Sequence, residues 1–161
     1  MPIVSFFVKE KKVGVISEAT IYARADNENT IIDAVIKQFD DLAESIVASI
    51  ALGFDDSCRI ALYGGSWIQA KVACNNIFAY EKISGLNDWL GKAQPCSGDN
   101  NILDLINMFN CTAICSYEFQ NGKTENDILE RLVAVCGDVG GLVMHPGMRL
   151  YDGKGNVVFR R

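Results

Sequence analysis

The sequence predicts an α+β protein in which a mainly antiparallel sheet is packed by one long and two shorter helices. β-rich runs and helical segments alternate early in the chain, whereas pairs of β-rich runs joined by tight turns open and close it. Such hairpins favour an antiparallel sheet over a doubly wound parallel one. No Pro/Gly-rich linker, repeat or low-complexity tract divides residues 1–161, so we expect a single domain.

The composition is that of an ordinary globular chain. Of its 161 residues, 49% are hydrophobic and 22% are charged, which excludes a disordered or collagen-like chain. Fifteen basic and twenty acidic residues give a formal net charge of −5. Nonspecific binding to nucleic acid or to an anionic membrane requires clustered positive charge, so we expect neither as a partner.

Two features predict a cytoplasmic location. The apolar run at residues 3–8 has no preceding basic stretch and no small-residue cleavage site, unlike a signal peptide. The most apolar internal run, residues 45–54, is about half as long as a bilayer requires.

Most of the six cysteines, such as Cys58 and Cys136, lie in apolar runs, where a free thiol behaves as a small hydrophobe. We therefore expect reduced thiols rather than disulfides.

The clearest helical pattern lies in the first third of the chain, after β-rich runs at residues 3–8, 13–16 and 20–24. Apolar residues recur at spacings of three and four from Ile32 to Ile50, which predicts one long amphipathic helix of about six turns. Asn29 or Thr30 is its expected N-cap, and Gly53 its expected end. The second half has almost no charge, so we expect it to be buried on most sides.

The middle of the chain predicts a hairpin. The β-rich runs 58–63 and 66–72 flank Gly64-Gly65, and two glycines supply the positive φ angles of a tight turn. In the second run Trp67, Gln69 and Lys71 share one face, as in a half-buried strand. Residues 75–92 fit either a strand or a helix, residues 94–100 form a loop, and residues 102–106 are helical.

The last third predicts a strand at residues 111–119 and a turn at 121–122. Thr124 and Asp127 resemble a capping box that begins a helix, which Gly137 ends. Glycine-containing turns then separate short strands at residues 142–144, 148–151 and 157–159. This succession of short runs again favours hairpins.

The sequence predicts no metal site and no cofactor. Cys111 and Cys115 are four residues apart on a predicted strand, where about 13 Å separates them, too far for a shared zinc ion. We expect both to be small core-facing side chains. The glycines at 64–65 and 137–141 lack the lysine of a phosphate-binding loop and do not open a helix after a strand, so they predict a hairpin turn and a helix end.

Three residues are candidates for binding: Trp67, Tyr63 and His145. The two aromatic residues suit protein recognition if they are exposed, and core packing is the alternative for them. His145 is the only histidine and lies in a Pro-Gly turn, where it serves as a turn residue, a ligand contact or an interface residue. It is also the only side chain that a thiol–imidazole mechanism can use as its base. The sequence assigns no catalytic residues.

The end of the chain resembles the tail of many uncharacterised bacterial α+β proteins. A helix with an apolar face precedes two glycines and two apolar residues at 140–143, and the chain then continues as LYDGKGNVV at 150–158. The resemblance covers about 20 of 161 residues. It implies no activity and no functional residues.

From these observations we expect a non-catalytic binding or interaction protein, acting on another protein or through self-association. One form is a small acidic inhibitor, such as an immunity-type protein that masks a basic toxin, since opposite charges accelerate association. The alternative is an enzyme of unrecognised type that uses a cysteine with His145. A structural or assembly subunit is a third possibility.

Overall fold

A computed structural model describes residues 15–49, 56–96, 101–119, 124–145 and 149–161. The strands are β1 Val15–Ala23, β2 Ala43–Ser49, β3 Asp56–Leu62, β4 Trp67–Cys74, β5 Gln94–Pro95, β6 Cys111–Phe119, β7 Leu142–His145, β8 Arg149–Tyr151 and β9 Val157–Arg160. The helices are α1 Glu28–Phe39, α2 Ile77–Leu90, α3 Asn101–Asn107 and α4 Thr124–Val139, with a 3₁₀ turn at Asp40–Leu42. These elements confirm the predicted α+β class.

The strands form one sheet in the order β2-β3-β4-β6-β1-β7-β8-β9-β5, and each of its pairings is antiparallel. At its centre β1 pairs with β6 from Val15↔Phe119 to Ala23↔Cys111. The bounds of β6 are those that the sequence predicts. Each central strand is followed by a helix, α1 after β1 and α4 after β6, and these two helices pack against each other.

The main core lies between the sheet and helices α1 and α4, on what we call the covered face. Its largest fully buried side chains come from both helices and from the inward positions of β1, β3, β4 and β6: Phe39, Ile31, Val35, Ile128, Leu132, Ile21, Ile60, Ile68 and Tyr117. Burial of these side chains stabilises the fold by roughly 1.5–3 kcal/mol each. Apolar side chains alternate with more polar ones along these strands, and the helices pack on the face that the apolar side chains share.

Helices α2 and α3 pack on the opposite face and cover only part of it. Their buried side chains, such as Leu86 and Ile106, contact Tyr22, Leu142 and Leu150 in a second, smaller core. The ends of β1, β3, β4 and β6 that are remote from this core have exposed or half-buried outward side chains. This uneven coverage creates the candidate site described below.

The long helix predicted from Ile32 to Ile50 is wrong in its second half. The chain forms α1 only up to Phe39, turns through 40–42 and continues as the edge strand β2. Positions 44–48 are exposed rather than buried. Over so short a run, the β-branched pair Ile46-Val47 fits both the helical spacing of apolar residues and a strand. Pairing with β3 makes this segment a strand. The fold therefore has helices of 12, 14, 7 and 16 residues in its described part, rather than one long and two shorter ones.

Two helix boundaries also differ from expectation, and one segment that the sequence left open is a helix. The N-cap of α1 is Asn27, whose Oδ1 accepts from the Thr30 N–H at 3.3 Å, instead of Asn29 or Thr30. Residues 77–90, left open above, are a helix capped by Asn76. Helix α4 continues past Gly137 and ends at Gly140, whose φ of 71° favours glycine. The predicted run 3–8, residues 13–14 of the run 13–16 and the turn at 121–122 lie outside the described residues.

A side chain from α4 stabilises the C-terminal end of α1. Arg131 donates to both carboxylate oxygens of Asp41 and, at 2.7 Å, to the carbonyl oxygen of Gln38. This carbonyl belongs to the last turn of the helix, where carbonyl groups lack intrahelical partners. The hydrogen bond from Arg131 holds the pKa of Asp41 below its usual value. Arg131 thus joins the two helices of the covered face.

The expectation that all six cysteines are reduced is wrong for one pair. Cys74 and Cys111 face each other across β4 and β6 and form a disulfide, with 4.1 Å between their Cα atoms. Cys58, Cys96, Cys115 and Cys136 are free thiols. Thirty-six residues separate Cys74 from Cys111 in the chain, and only the sheet register brings them together.

Candidate functional site

The end of the sheet that the described helices leave uncovered presents two adjacent rows of side chains, which together we call the open face. One row crosses Trp67 on β4, Glu118 on β6 and Ile16 on β1. The other row crosses five strands through Val47, Arg59, Gln69, Ser116 and Glu18. Antiparallel register places these residues directly opposite one another, so a surface from five strands becomes continuous.

Charged and aromatic side chains at the centre of the open face hold one another in place. The Arg59 Cζ lies 4.3 Å from the centroid of the Trp67 ring, a cation–π contact. Arg59 Nη1 donates to Gln69 Oε1 at 3.3 Å, and Trp67 Nε1 donates to Glu118 Oε2 at 2.7 Å. These contacts fix the orientation of a large amphipathic ring at a half-buried surface position.

Apolar side chains border this centre on both sides. Ile16 is 63% exposed and Val47 is 65% exposed, although β-branched side chains are usually buried on at least one side of a sheet. They lie at opposite ends of the open face, on β1 and β2. The open face therefore combines an ordered aromatic and cationic centre with exposed apolar margins.

Beyond the open face, helix α2 and the sheet enclose a groove of about 510 Å³. Two further rows of the same register form its floor, Lys71↔Ile114 and Ala73↔Thr112↔Tyr22. One stripe of α2 forms its wall through Phe78, Glu81, Lys82 and Gly85. Phe78 and Gly85 each lie three or four positions from both Glu81 and Lys82, which puts all four on one side of the helix.

The floor of the groove contains two side chains with a hydroxyl group. Tyr22 is 6% exposed and Thr112 is 2% exposed, and both line the groove. Burial raises the pKa of Tyr22 to about 12, so its hydroxyl is protonated at neutral pH and can donate. The Tyr22 ring stacks against Phe109, which holds it in place.

Two lysines and one glutamate determine the charge of the groove. Lys71 reaches it from β4, and Lys82 and Glu81 from α2, and all three are exposed. Their formal charges leave a local excess of one positive charge in a chain whose net charge is −5. The groove therefore has a local positive charge that suits an anion.

Gly85 is the one wall residue without a side chain. A Cβ added there meets no atom within 4 Å, so packing does not require glycine. Glycine in a helix interior costs about 1 kcal/mol relative to alanine. The absence of a side chain at Gly85 leaves space in the groove, and a larger residue at this position would fill that space.

The structure brings two of the three predicted binding residues near each other and separates the third. Trp67 is at the centre of the open face, and Tyr63 is exposed in the hairpin turn just before β4. His145 ends β7 and pairs with Arg149. Alternation along β7 puts it on the same side as Val143, which belongs to the core of the covered face. His145 thus lies on the other side of the sheet from Trp67.

Burial opposes a nucleophilic role for three of the free thiols. It raises the pKa of Cys58 to about 11 and raises the pKa of Cys115 and of Cys136 still further. A nucleophilic cysteine must ionise, so these thiols are unreactive near neutral pH. Cys111 and Cys115 are both fully buried in the core, as predicted, although Cys111 is bonded to Cys74. Cys96 is exposed.

Sequence reasoning missed Arg59 and the whole groove. Arg59 lies between Cys58 and Ile60 in a run treated only as apolar, although its outward position followed from period-two alternation. The groove had no sequence signal, because its residues come from four elements: β1, β4, β6 and α2. Only the predicted shared face of Trp67, Gln69 and Lys71 indicated this surface, and that prediction is confirmed.

Within the described ranges, no group of three or more His, Cys, Asp or Glu residues is placed to hold a metal ion. None of the described helices combines the length and the apolar character needed to cross a bilayer. No family model matches the sequence, and comparisons with curated proteins and with solved structures also gave no significant match. Function is therefore inferred from the geometry of the open face and the groove.

Proposed function

We propose that this protein is a non-catalytic binding protein that recognises a partner protein through the open face. The observation that carries the proposal is the Arg59–Trp67 stack, which Gln69 and Glu118 hold on a part of the sheet that the described helices leave uncovered. Tryptophan and arginine are enriched among the residues that dominate binding energy at protein interfaces. An ordered pair of this kind is an anchor for a partner surface.

The contacts around Trp67 also reduce the cost of binding. Immobilising a flexible side chain at an interface costs roughly 0.5–1.5 kcal/mol. Here the indole is already held from above by Arg59 and at its N–H by Glu118. The exposed margins at Ile16 and Val47 offer apolar area that a partner removes from water.

The inhibitor form of the proposal adds that the partner is basic. Helix α1 with its 3₁₀ turn and helix α4 contain the acidic residues Glu28, Asp33, Asp40, Asp41, Glu125, Asp127, Glu130 and Asp138. Their sequences contain eight acidic residues and two basic ones, Lys37 and Arg131, so the formal charge of this layer is −6, whereas that of the whole chain is −5. This layer lies on the covered face, so its field adds to the long-range attraction of a basic protein rather than to the contacts at the open face, and it makes the association rate fall with added salt.

A capture experiment with matched variants tests the proposal. Tagged wild-type protein and the variants Trp67→Ala, Arg59→Ala and Asn126→Ala are incubated with native extract at physiological salt. Asn126 is exposed on α4, away from the open face, and serves as the control. We expect one stoichiometric partner with wild type and with Asn126→Ala, and at least about tenfold weaker capture with the other two.

Two outcomes of the capture experiment would contradict the proposal: no retained protein, or a partner retained equally by Trp67→Ala. If the partner is a second copy of this chain, light scattering of the purified protein shows a dimer that Trp67→Ala dissociates. Purified partner then allows the salt dependence of association to be measured, and a rate that is independent of salt would exclude the inhibitor form.

We further propose a cytoplasmic location, which the thiol state can test. A reducing cytoplasm opens most disulfides, whereas an oxidising compartment maintains them. Cells are lysed directly into denaturant with an alkylating reagent, and the modified cysteines of the protein are counted. We expect six if the protein is cytoplasmic and reduced, and four if the Cys74–Cys111 disulfide is intact. Four modified cysteines would indicate an oxidising compartment instead.

A further inference from the structure

We propose that the groove between α2 and the sheet is a binding site for a small aromatic carboxylate. This site adjoins the open face but is not part of it, and it goes beyond the proposed protein recognition. Its volume of about 510 Å³ falls in the range of about 300–1,000 Å³ that is usual for small-molecule sites. Apolar lining with a few convergent polar groups is also typical of such sites.

The charge of the groove selects an anion. Lys71 on β4 and Lys82 on α2 provide two ammonium groups from different elements, and Glu81 offsets one of them. The formal excess of one positive charge matches one carboxylate group. A dianion exceeds this charge, and a neutral ligand leaves it uncompensated.

The floor selects a ligand that accepts hydrogen bonds. Tyr22 and Thr112 line the floor, and the hydroxyl group of each can donate a hydrogen bond to a ligand that enters the groove. A ligand that accepts these hydrogen bonds gains affinity. Carboxylate oxygens are strong acceptors for such donors.

The wall selects a flat apolar body. Phe78 presents a ring that is about half exposed, and Ile114 and Ala73 supply apolar floor next to it. Gly85 leaves space one turn of the helix further along, where a Cβ would meet no atom within 4 Å. An aromatic ring fits between these surfaces with its faces in contact, which is favourable for stacking on Phe78.

The test is a titration with defined probes. Benzoate, 1-naphthoate and indole-3-acetate are titrated into the full-length protein by calorimetry, with saturation-transfer NMR as a second readout. Indole-3-acetamide has the same ring and no charge and is the matched control ligand. We expect at least one acid to bind with a Kd of about 1 mM or below, and indole-3-acetamide to bind at least about tenfold more weakly than indole-3-acetate.

Two pairs of variants connect binding to the groove. Gly85→Leu fills the wall, whereas Ser84→Leu puts the same side chain on the neighbouring exposed position of α2. The double variant Lys71→Met with Lys82→Met removes both ammonium groups, and Lys92→Met removes one outside the groove. We expect Gly85→Leu and the double variant to weaken the binding of the acid at least about tenfold, and the two controls to bind as wild type does.

Because leucine is a better helix former than glycine and no atom obstructs the Gly85 Cβ, Gly85→Leu should fold, which circular dichroism verifies. The proposal is overturned if none of the three acids binds up to about 10 mM. It is also overturned if acid and amide bind equally, or if Gly85→Leu and Ser84→Leu behave alike. None of these outcomes bears on capture of a protein partner by Trp67, so the two proposals fail separately.

Discussion

Arg59 and Trp67 meet diagonally across neighbouring strands, with 4.3 Å between the Arg59 Cζ and the Trp67 ring centroid. Arg59 pairs directly with Gln69, and Trp67 lies two residues before Gln69 on the same strand. Diagonal neighbours are about 7–8 Å apart at the backbone, within the reach of long and aromatic side chains. The contact thus follows from the register of β3 and β4.

Because this contact lies at the surface, its loss should affect stability little. We expect Arg59→Ala to lower the free energy of unfolding by no more than about 1 kcal/mol, the value of an exposed cation–π pair. Urea denaturation followed by circular dichroism measures the change. Arg59→Lys, which keeps the charge but not the planar group, is the control. A loss above about 3 kcal/mol would mean that Arg59 supports the core, contrary to its exposed position.

Two glycines should respond in opposite directions to the same substitution. Gly85→Ala should raise the free energy of unfolding by about 0.5–1 kcal/mol, because the helix gains a better former and the new Cβ meets no atom. Gly153→Ala should lower it, because its Cβ would lie 2.7 Å from the backbone of Gly137 in α4. Thermal unfolding of both variants tests the pair. Equal shifts in the midpoint temperature would contradict the packing of the 152–155 turn on α4.

Asn110 joins the ends of three strands. Its Nδ2 donates to the backbone carbonyl oxygen of Ala25 and to the side-chain Oδ1 of Asn75. Its Oδ1 accepts from the backbone N–H of Ala25. Asn110→Ala leaves buried partners unsatisfied, so we expect a loss of about 2–4 kcal/mol in the free energy of unfolding. Asn107→Ala, at an exposed position of α3, should change it by less than about 0.5 kcal/mol. Chemical denaturation distinguishes the two.

Opening the Cys74–Cys111 disulfide should destabilise the protein. The bond closes a loop between residues that are 37 positions apart. For such a loop the chain-entropy model gives a stabilisation of about 4 kcal/mol, and measured values for disulfides are typically about 2–4 kcal/mol. Cys74→Ala with Cys111→Ala should therefore lower the midpoint of denaturation, and added reductant should not change this variant further. A midpoint for wild type that is the same with and without reductant would contradict the prediction.

The Arg131–Asp41 pair should make stability depend on pH. The pKa of Asp41 is below its usual value of 3.8 in the folded protein because Arg131 donates to its carboxylate. A lowered folded pKa gives stability that is present above the pKa of the unfolded state and is lost as the pH falls through the folded pKa. Arg131→Gln should therefore destabilise the protein at pH 7 and progressively less below about pH 4. Denaturation midpoints of both proteins from pH 7 down to about pH 2 provide the measurement, and a difference independent of pH would contradict the prediction.

Local patterns determined much of this fold. Strand β6 has the predicted bounds, and its residues alternate between buried and half-buried positions from Ala113 to Glu118. The β3–β4 hairpin was predictable because Gly64 and Gly65 adopt the positive φ angles, 93° and 90°, that such a turn requires. The residues of the open face on β4 followed from the same alternation. In each case the signal lies within a few neighbouring residues.

Only the tertiary structure decided the remaining features. Residues 43–49 are apolar enough for a helix or a strand, and pairing with β3 makes them a strand. Cys74 and Cys111 meet because β4 and β6 are neighbours, although β5 and two helices lie between them in the chain. Tyr22, Lys71 and Gly85 share one groove for the same reason. Strand order is a long-range property that arises from burial of whole faces, and no local pattern of residues encodes it.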